Sequence, residues 1–278
     1  MGKIDDIQAY KEWTEYHRSL KRDKAADNLS PVERKKKLEK LEANVIEWIL
    51  FFFSEFAKYP FTKFHKKAIK RITTNMEWYE VLSWSRELAK STIVFMCMMY
   101  LVLTGKKRNV LLISNSHENA VRLLEPYKKA FESNSMLKAY YGDLREFGSW
   151  TADEFTLTTG ATFRAVGALE SPRGTRKDAV RPDTALVDDF DTDADCRNPD
   201  ILKKKWEWFE EALFPTRSIS EDLLVIFCGN LIALDCCVKR AGEKADHWDI
   251  VNIRDKDGKS SWPEQNTEVR INCIQSNI

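Results

Sequence analysis

The sequence predicts an α/β fold, a mostly parallel sheet flanked by helices, with an N-terminal helical extension. Three observations carry this. Short apolar runs of strand length (Trp78–Ser83, Asn109–Ser114, Thr184–Val187 and Leu223–Phe227) alternate with helix-length segments, as in sheets covered on both faces by crossover helices. The 278 residues, 43% of them hydrophobic, suit one large α/β domain, alone or with a helical appendage, and can bury a substantial core. Finally, Trp78–Ser83 passes through a polar loop straight into the apolar run Ile93–Leu103, and such strand-to-helix junctions are where parallel sheets take their ligands.

Residues 1–58 read as helical throughout. Pro31 to Lys37 leads into a helix with apolar positions at Leu38, Leu41 and Val45. Ser30 is its expected N-cap, with Glu33 completing a capping box. Lys35–Lys37 reads as a solvated helix face, with DNA phosphates as the alternative. From about residue 59 strands alternate with helices. Thr104-Gly105 bounds the second strand, and Ser116 caps a helix whose Ala120, Leu123, Leu124, Tyr127, Ala130 and Phe131 share one face. Glu154–Leu157 and Thr162–Val166 flank Thr159-Gly160 as a hairpin, and a helix over Ile201–Leu213 separates the last two strands.

Composition excludes several classes. A net charge of +1 rules out a generically basic nucleic-acid coat but leaves room for one local DNA-facing patch. The greasiest stretches, Val45–Phe53 and Ile93–Leu103, fall short of the roughly 20 residues that cross a bilayer, so both read as core helices and no membrane is expected. Gly2 to Tyr10 is charged and polar, so no secretory signal is expected. Six cysteines without metal-ligand spacing read as reduced, buried thiols of a cytosolic protein.

The chemistry concentrates in five segments. The loop Trp84 to Thr92 matches G-x-x-x-x-G-K-[ST] only at Lys90-Ser91, with Trp84 and Ala89 at the glycine positions. In that motif backbone N–H groups cradle phosphates, the lysine reaches their oxygens and the hydroxyl meets Mg²⁺. Leu186-Val187-Asp188-Asp189 is a buried strand ending in two acids: the first suits an Mg²⁺ sphere and the second a water-polarising base. An acidic loop at a strand end is the plain alternative. Cys228-Gly229-Asn230 closes another strand, as an ordinary turn or as an amide that senses a γ-phosphate. Ser171 to Lys177 is a basic glycine loop, and its Arg173 and Arg176 could serve a phosphoryl-transfer transition state, a DNA backbone or only the surface. Tyr59-Pro60-Phe61 and Phe64-His65 offer either core aromatics or a shelf for adenine.

Together these residues resemble the ATPase domain of the large terminase subunit of tailed bacteriophages. Ser85, Arg86, Glu87, Leu88, Ala89, Lys90 and Ser91 resemble that family's deviant Walker A, which carries an early arginine, and Pro60-Phe61 with Phe64-His65 its adenine-side motif. Ser171-Pro172-Arg173-Gly174, Arg181-Pro182-Asp183 and Asp188-Asp189 resemble its Arg-Gly loop running into Walker B. Asn198, Lys203–Lys205, Trp208-Phe209, Pro215 and Gly229-Asn230 follow in order, and Gly258 and Trp262-Pro263-Glu264 resemble the segment that leaves the domain.

The resemblance implies a RecA/ASCE-type P-loop NTPase sheet: a helical or lid region over 1–58, an ATPase core over 59–265, and over 266–278 the start of a linker toward an absent nuclease domain. It implies ATP and Mg²⁺ as cofactors. ATP would meet Ser85, Arg86, Glu87, Leu88, Ala89, Lys90, Ser91, Thr92, Phe61 and His65, and Mg²⁺ would meet Ser91 and Asp188. Asp189, Arg86, Arg173, Arg176 and Asn230 would be catalytic. The partners implied are double-stranded DNA, a portal protein, a small terminase subunit and further copies in a ring, a pentamer, in the host bacterial cytoplasm. Two substitutions depart from the pattern: Ala89 replaces the usual glycine, and Asp189 stands where glutamate is usual. A helicase-like or DNA-repair ATPase is the first alternative function, and a non-catalytic nucleotide- or DNA-binding module the second.

Overall fold

The computed structural model describes residues 29–171, 181–218 and 221–275. Its strands are β1 (Trp78–Trp84), β2 (Asn109–Ser114), β3 (Arg145–Trp150), β4 (Glu154–Leu157), β5 (Thr162–Gly167), β6 (Thr184–Asp188), β7 (Leu224–Cys228) and β8 (His247–Val251). They form one sheet in the order β3-β4-β5-β2-β6-β7-β1-β8. The six strands from β5 to β8 run parallel; β3 and β4 add an antiparallel edge. This is a mostly parallel α/β sheet, as the sequence predicts.

Strand periodicity builds two cores. Leu82, Trp84, Val110, Leu112, Leu186, Leu224 and Ile226 face one side, while Val81, Leu111, Ile113, Val187, Val225 and Phe227 face the other. The first side is covered by α1 (Pro31–Glu42), α2 (Val45–Phe52), α3 (Lys63–Thr74), α4 (Lys90–Leu103), α5 (His117–Ser133) and α6 (Ser135–Tyr141). After the short α7 (Asp193–Cys196), the second is covered by α8 (Pro199–Glu207), a π-helical turn over Trp208–Leu213, and α9 (Cys237–Lys244). A last helix, α10, spans Glu268–Gln275.

Helix α4 is buried at every position from Ile93 to Val102, as a helix apolar all round must be. That fixes its N-terminus at the carboxyl end of the sheet. The helices of residues 31–52 belong to the same core: Trp48 packs edge-on to Tyr100 at 5.3 Å and donates its indole N–H to the Tyr141 hydroxyl at 2.8 Å. Ser30 and Glu33 form the expected capping box. At the opposite end of the sheet, buried Lys107 donates to the carbonyls of Met76, Asp183 and Asp222 at 2.9, 3.1 and 2.8 Å. These residues immediately precede β1, β6 and β7, so one ammonium ties three strand starts together.

Two strands have no counterpart in the sequence reading. Strand β3 is largely exposed and β8 is half-buried and polar, so neither edge shows an apolar run. The helix expected over Ile201–Leu213 starts at Pro199 under an Asn198 cap and widens into the π-turn from Trp208. Of the six cysteines, Cys97, Cys228, Cys236 and Cys237 are buried, Cys196 is half-buried and Cys273 is exposed. No described helix is long and apolar enough to cross a membrane.

Candidate active site

Strand β7 lies between β1 and β6, in a register that aligns Leu82, Cys228 and Asp188 across the three. The carboxyl tips of these strands are therefore level. They bring Lys90 and Ser91, Asp188 and Asp189, and Asn230 around one cavity of about 680 Å³. Ser85, Arg86, Glu87, Ala89 and Thr92 complete its loop side. The three separate motifs of the sequence thus converge on one place.

The two missing glycines have different structural meanings. Trp84 is still a strand residue, paired with Val251, and its ring packs edge-on to Phe64 at 4.9 Å; nothing there requires glycine. Ala89 is different. Its φ of 56° and ψ of 28° are left-handed, and Glu87 has a φ of 69°. For a residue with a Cβ this region costs about 1–2 kcal/mol.

Ala89 is also the N-cap of α4 and supplies no side-chain hydrogen bond. By contrast Ser30, Asn44, Ser116, Asn134, Thr192 and Asn198 all cap their helices with side-chain oxygens. The backbone N–H of Ile93 makes the first intrahelical bond of α4, to the Ala89 carbonyl at 2.9 Å. The N–H groups of Lys90, Ser91 and Thr92 therefore have no intrahelical acceptor, and all three residues line the cavity. Such an open helix start attracts anions through its N–H groups and dipole.

Opposite this positive end sits a buried carboxylate. Asp188 accepts from Ser91 Oγ at 2.7 Å and from the Asp189 N–H at 3.1 Å. Burial first, and then the Asp189 charge, push its pKa up to about 6. A buried carboxylate beside a hydroxyl, with a second acid next in sequence, is an oxygen-donor set suited to a hard divalent cation such as Mg²⁺, and a cation would relieve the burial cost. Asp189 itself is exposed to the cavity, with a φ of 46°. Lys90 Nζ lies 3.5 Å from Asn230 Oδ1, linking the loop to the β7 tip. Behind the acids, buried Lys205 donates to the Phe190 carbonyl at 2.5 Å and to Asp195 Oδ2 at 2.7 Å, which fixes the backbone just past Asp189.

Three expected contact residues, Phe61, His65 and Leu88, are buried behind the loop and do not line the cavity. Phe56, Lys58, Trp262 and Gln265 do line it, and the sequence reading gave none of them a ligand role. Trp262 had a signal, in the segment Trp262-Pro263-Glu264, whereas Phe56 and Lys58 sit in an irregular stretch with none. Arg173 and Arg176 lie outside the described residues.

No protein-family model matches the chain, and no curated protein does. Among solved structures, the chain is similar to the large terminase of bacteriophage HK97, with a TM-score of 0.50 and 13% identity over 79% of this chain. It spans 47% of that terminase's length. A structure of S. cerevisiae Dbp5 bound to Nup159, Gle1, IP6 and ADP aligns with a TM-score of 0.44 and 10% identity, over 83% of this chain and 54% of that one. The likeness to the terminase is one of fold.

Proposed function

We propose that this chain binds and hydrolyses ATP, as the motor that drives double-stranded DNA into a viral procapsid. The carrying observation is the convergence of the open α4 N-terminus, Lys90 and the Ser91–Asp188 hydrogen bond of 2.7 Å on one cavity. In the mechanism, the Lys90, Ser91 and Thr92 N–H groups and the Lys90 ammonium hold the β- and γ-phosphates. Ser91 Oγ and Asp188 would hold Mg²⁺, which supplies charge neutralisation at the phosphate oxygens. Asp189, open to the cavity, takes a proton from the attacking water. Asn230, beside Lys90, reads whether the γ-phosphate is present. Arg86, exposed at the rim, stabilises the transition state, alone or with a neighbouring copy's Arg173 or Arg176. The flat contact for the base falls to Phe56 and Trp262, with Phe61 and His65 behind them.

Packaging is favoured over other nucleic-acid ATPases by the loop's early arginine, Arg86. On this reading the chain works as a ring, a pentamer, on a portal protein, with a small terminase subunit delivering DNA in the bacterial cytoplasm. Steady-state ATPase assays test the core of it. Lys90→Ala should abolish turnover, and undiminished activity in a clean preparation would sink the phosphate-loop assignment. DNA unwinding by the chain would favour the helicase-like alternative over packaging.

A further inference from the structure

Two successive carbonyls of the loop are each held by a side chain from outside it. The Leu88 carbonyl lies 3.0 Å from His65 Nε2, and the Glu87 carbonyl accepts from Asn266 Nδ2 at 3.0 Å and, at the longer distance of 3.4 Å, from Gln265 Nε2. His65 is fully buried in the first turn of α3. Its Nδ1 accepts the Thr62 N–H at 3.2 Å, so the ring proton belongs on Nε2 and is donated to Leu88. Burial holds the pKa of His65 below its ordinary value, keeping this neutral form. Asn266 follows Trp262, whose ring lies 4.5 Å from the His65 ring and whose indole N–H donates to the Pro60 carbonyl at 3.0 Å. The two clamps come from distant parts of the chain and share one packed support.

The peptide planes they hold are those that set the loop's shape. The Leu88–Ala89 plane sets φ of Ala89, and the Glu87–Leu88 plane sets ψ of Glu87, the two loop residues with left-handed φ. Glycine would occupy that region freely; alanine and glutamate do so only when something else determines it. Without the clamps, rotation of these planes would let Ala89 relax and turn the start of α4 away from the cavity.

We propose that His65 and Asn266 are positioning residues that hold a glycine-poor phosphate loop in its binding-competent shape, replacing glycine's conformational freedom with two side-chain hydrogen bonds. This rests on the phosphate-loop reading above. It accounts for Ala89 at a position where the backbone favours glycine, and it ties the loop's geometry to the segment 262–266.

The test is a double-mutant cycle on the purified chain, read as the dissociation constant of a fluorescent ATP analogue with Mg²⁺. Asn266→Ala should weaken binding about tenfold. In a Glu87→Gly, Ala89→Gly background, where neither left-handed residue needs holding, the same change should cost less than about threefold. His65→Gln keeps a donor toward Leu88 and should bind near the parent, whereas His65→Leu should lose about tenfold. A packing loss alone would cost the same in both backgrounds. Equal losses in the two backgrounds, or Asn266→Ala binding like the parent while Lys90→Ala abolishes binding, would overturn the clamp and leave the loop assignment standing. Unimpaired binding by Lys90→Ala would overturn the loop assignment, and the clamp with it. Should His65→Leu fail to fold, the cycle of Asn266→Ala with the Glu87→Gly, Ala89→Gly background decides alone.

Discussion

Replacing Asp188 with asparagine should make the nucleotide-free protein more stable while destroying its proposed activity. Asp188 is buried, with 9% of the residue exposed, and burial and the neighbouring Asp189 raise its pKa from 3.8 to about 6. The folded protein therefore holds a proton that the unfolded chain releases. The associated stability is fully present below the unfolded pKa and is lost as pH rises through about 6. A gap of about two pKa units, at 1.36 kcal/mol each, makes the charged form cost about 3 kcal/mol at neutral pH. Asparagine carries no charge, but its single oxygen cannot serve both the Ser91 hydroxyl and the Asp189 N–H, a loss of about 1 kcal/mol. The variant should therefore be more stable by about 2 kcal/mol at pH 7, and the advantage should vanish near pH 4.5. Urea unfolding in EDTA, followed by the fluorescence of the nine tryptophans and extrapolated linearly, measures the difference at each pH. A difference that stays constant between these pH values, or a variant less stable at pH 7, would refute the reasoning.

Three further substitutions probe other parts of the argument. Ala89→Gly relieves about 1–2 kcal/mol of left-handed strain and adds about 0.4–1 kcal/mol of unfolded-state entropy, so urea unfolding should show a gain of about 0.5–1 kcal/mol. Destabilisation would contradict the strain. Asp189→Asn should keep affinity for a fluorescent ATP analogue while lowering kcat at least about 100-fold; matched losses of binding and turnover would assign Asp189 another role. Gly242→Ala would bring a Cβ within 2.3 Å of the Trp248 ring, which is fixed by an indole hydrogen bond to Ser83 Oγ at 2.9 Å. Overpacking should cost about 1–3 kcal/mol, and an unchanged urea midpoint would argue against that contact.

Much of the sheet was legible because its central strands are buried on both faces and read as continuous apolar runs. Trp78–Ser83, Asn109–Ser114 and Thr184–Val187 each agree with the structure to within a residue or so. The edges were not legible, since β3 and β8 bury little and carry no period. The loop's lysine and serine, the acid pair and the Gly-Asn tip could all be named from their place at strand ends. Their meeting could not, because it depends on β7 inserting between β1 and β6.

By itself, then, the sequence determined the class of fold and the residue types offered to a ligand, both of which follow from local burial pattern and chemistry. It could not say which missing glycine mattered. Tertiary structure decided that: Trp84 continues a strand, where the backbone has no need of glycine, whereas Ala89 stands at a left-handed turn. It also moved Phe61 and His65 from the cavity wall to the support behind the loop, and it brought Phe56 and Trp262 to the cavity. Periodicity encodes which face of an element is buried, but contacts such as those of Glu87 with Asn266, 179 residues apart, exist only once the layers have packed.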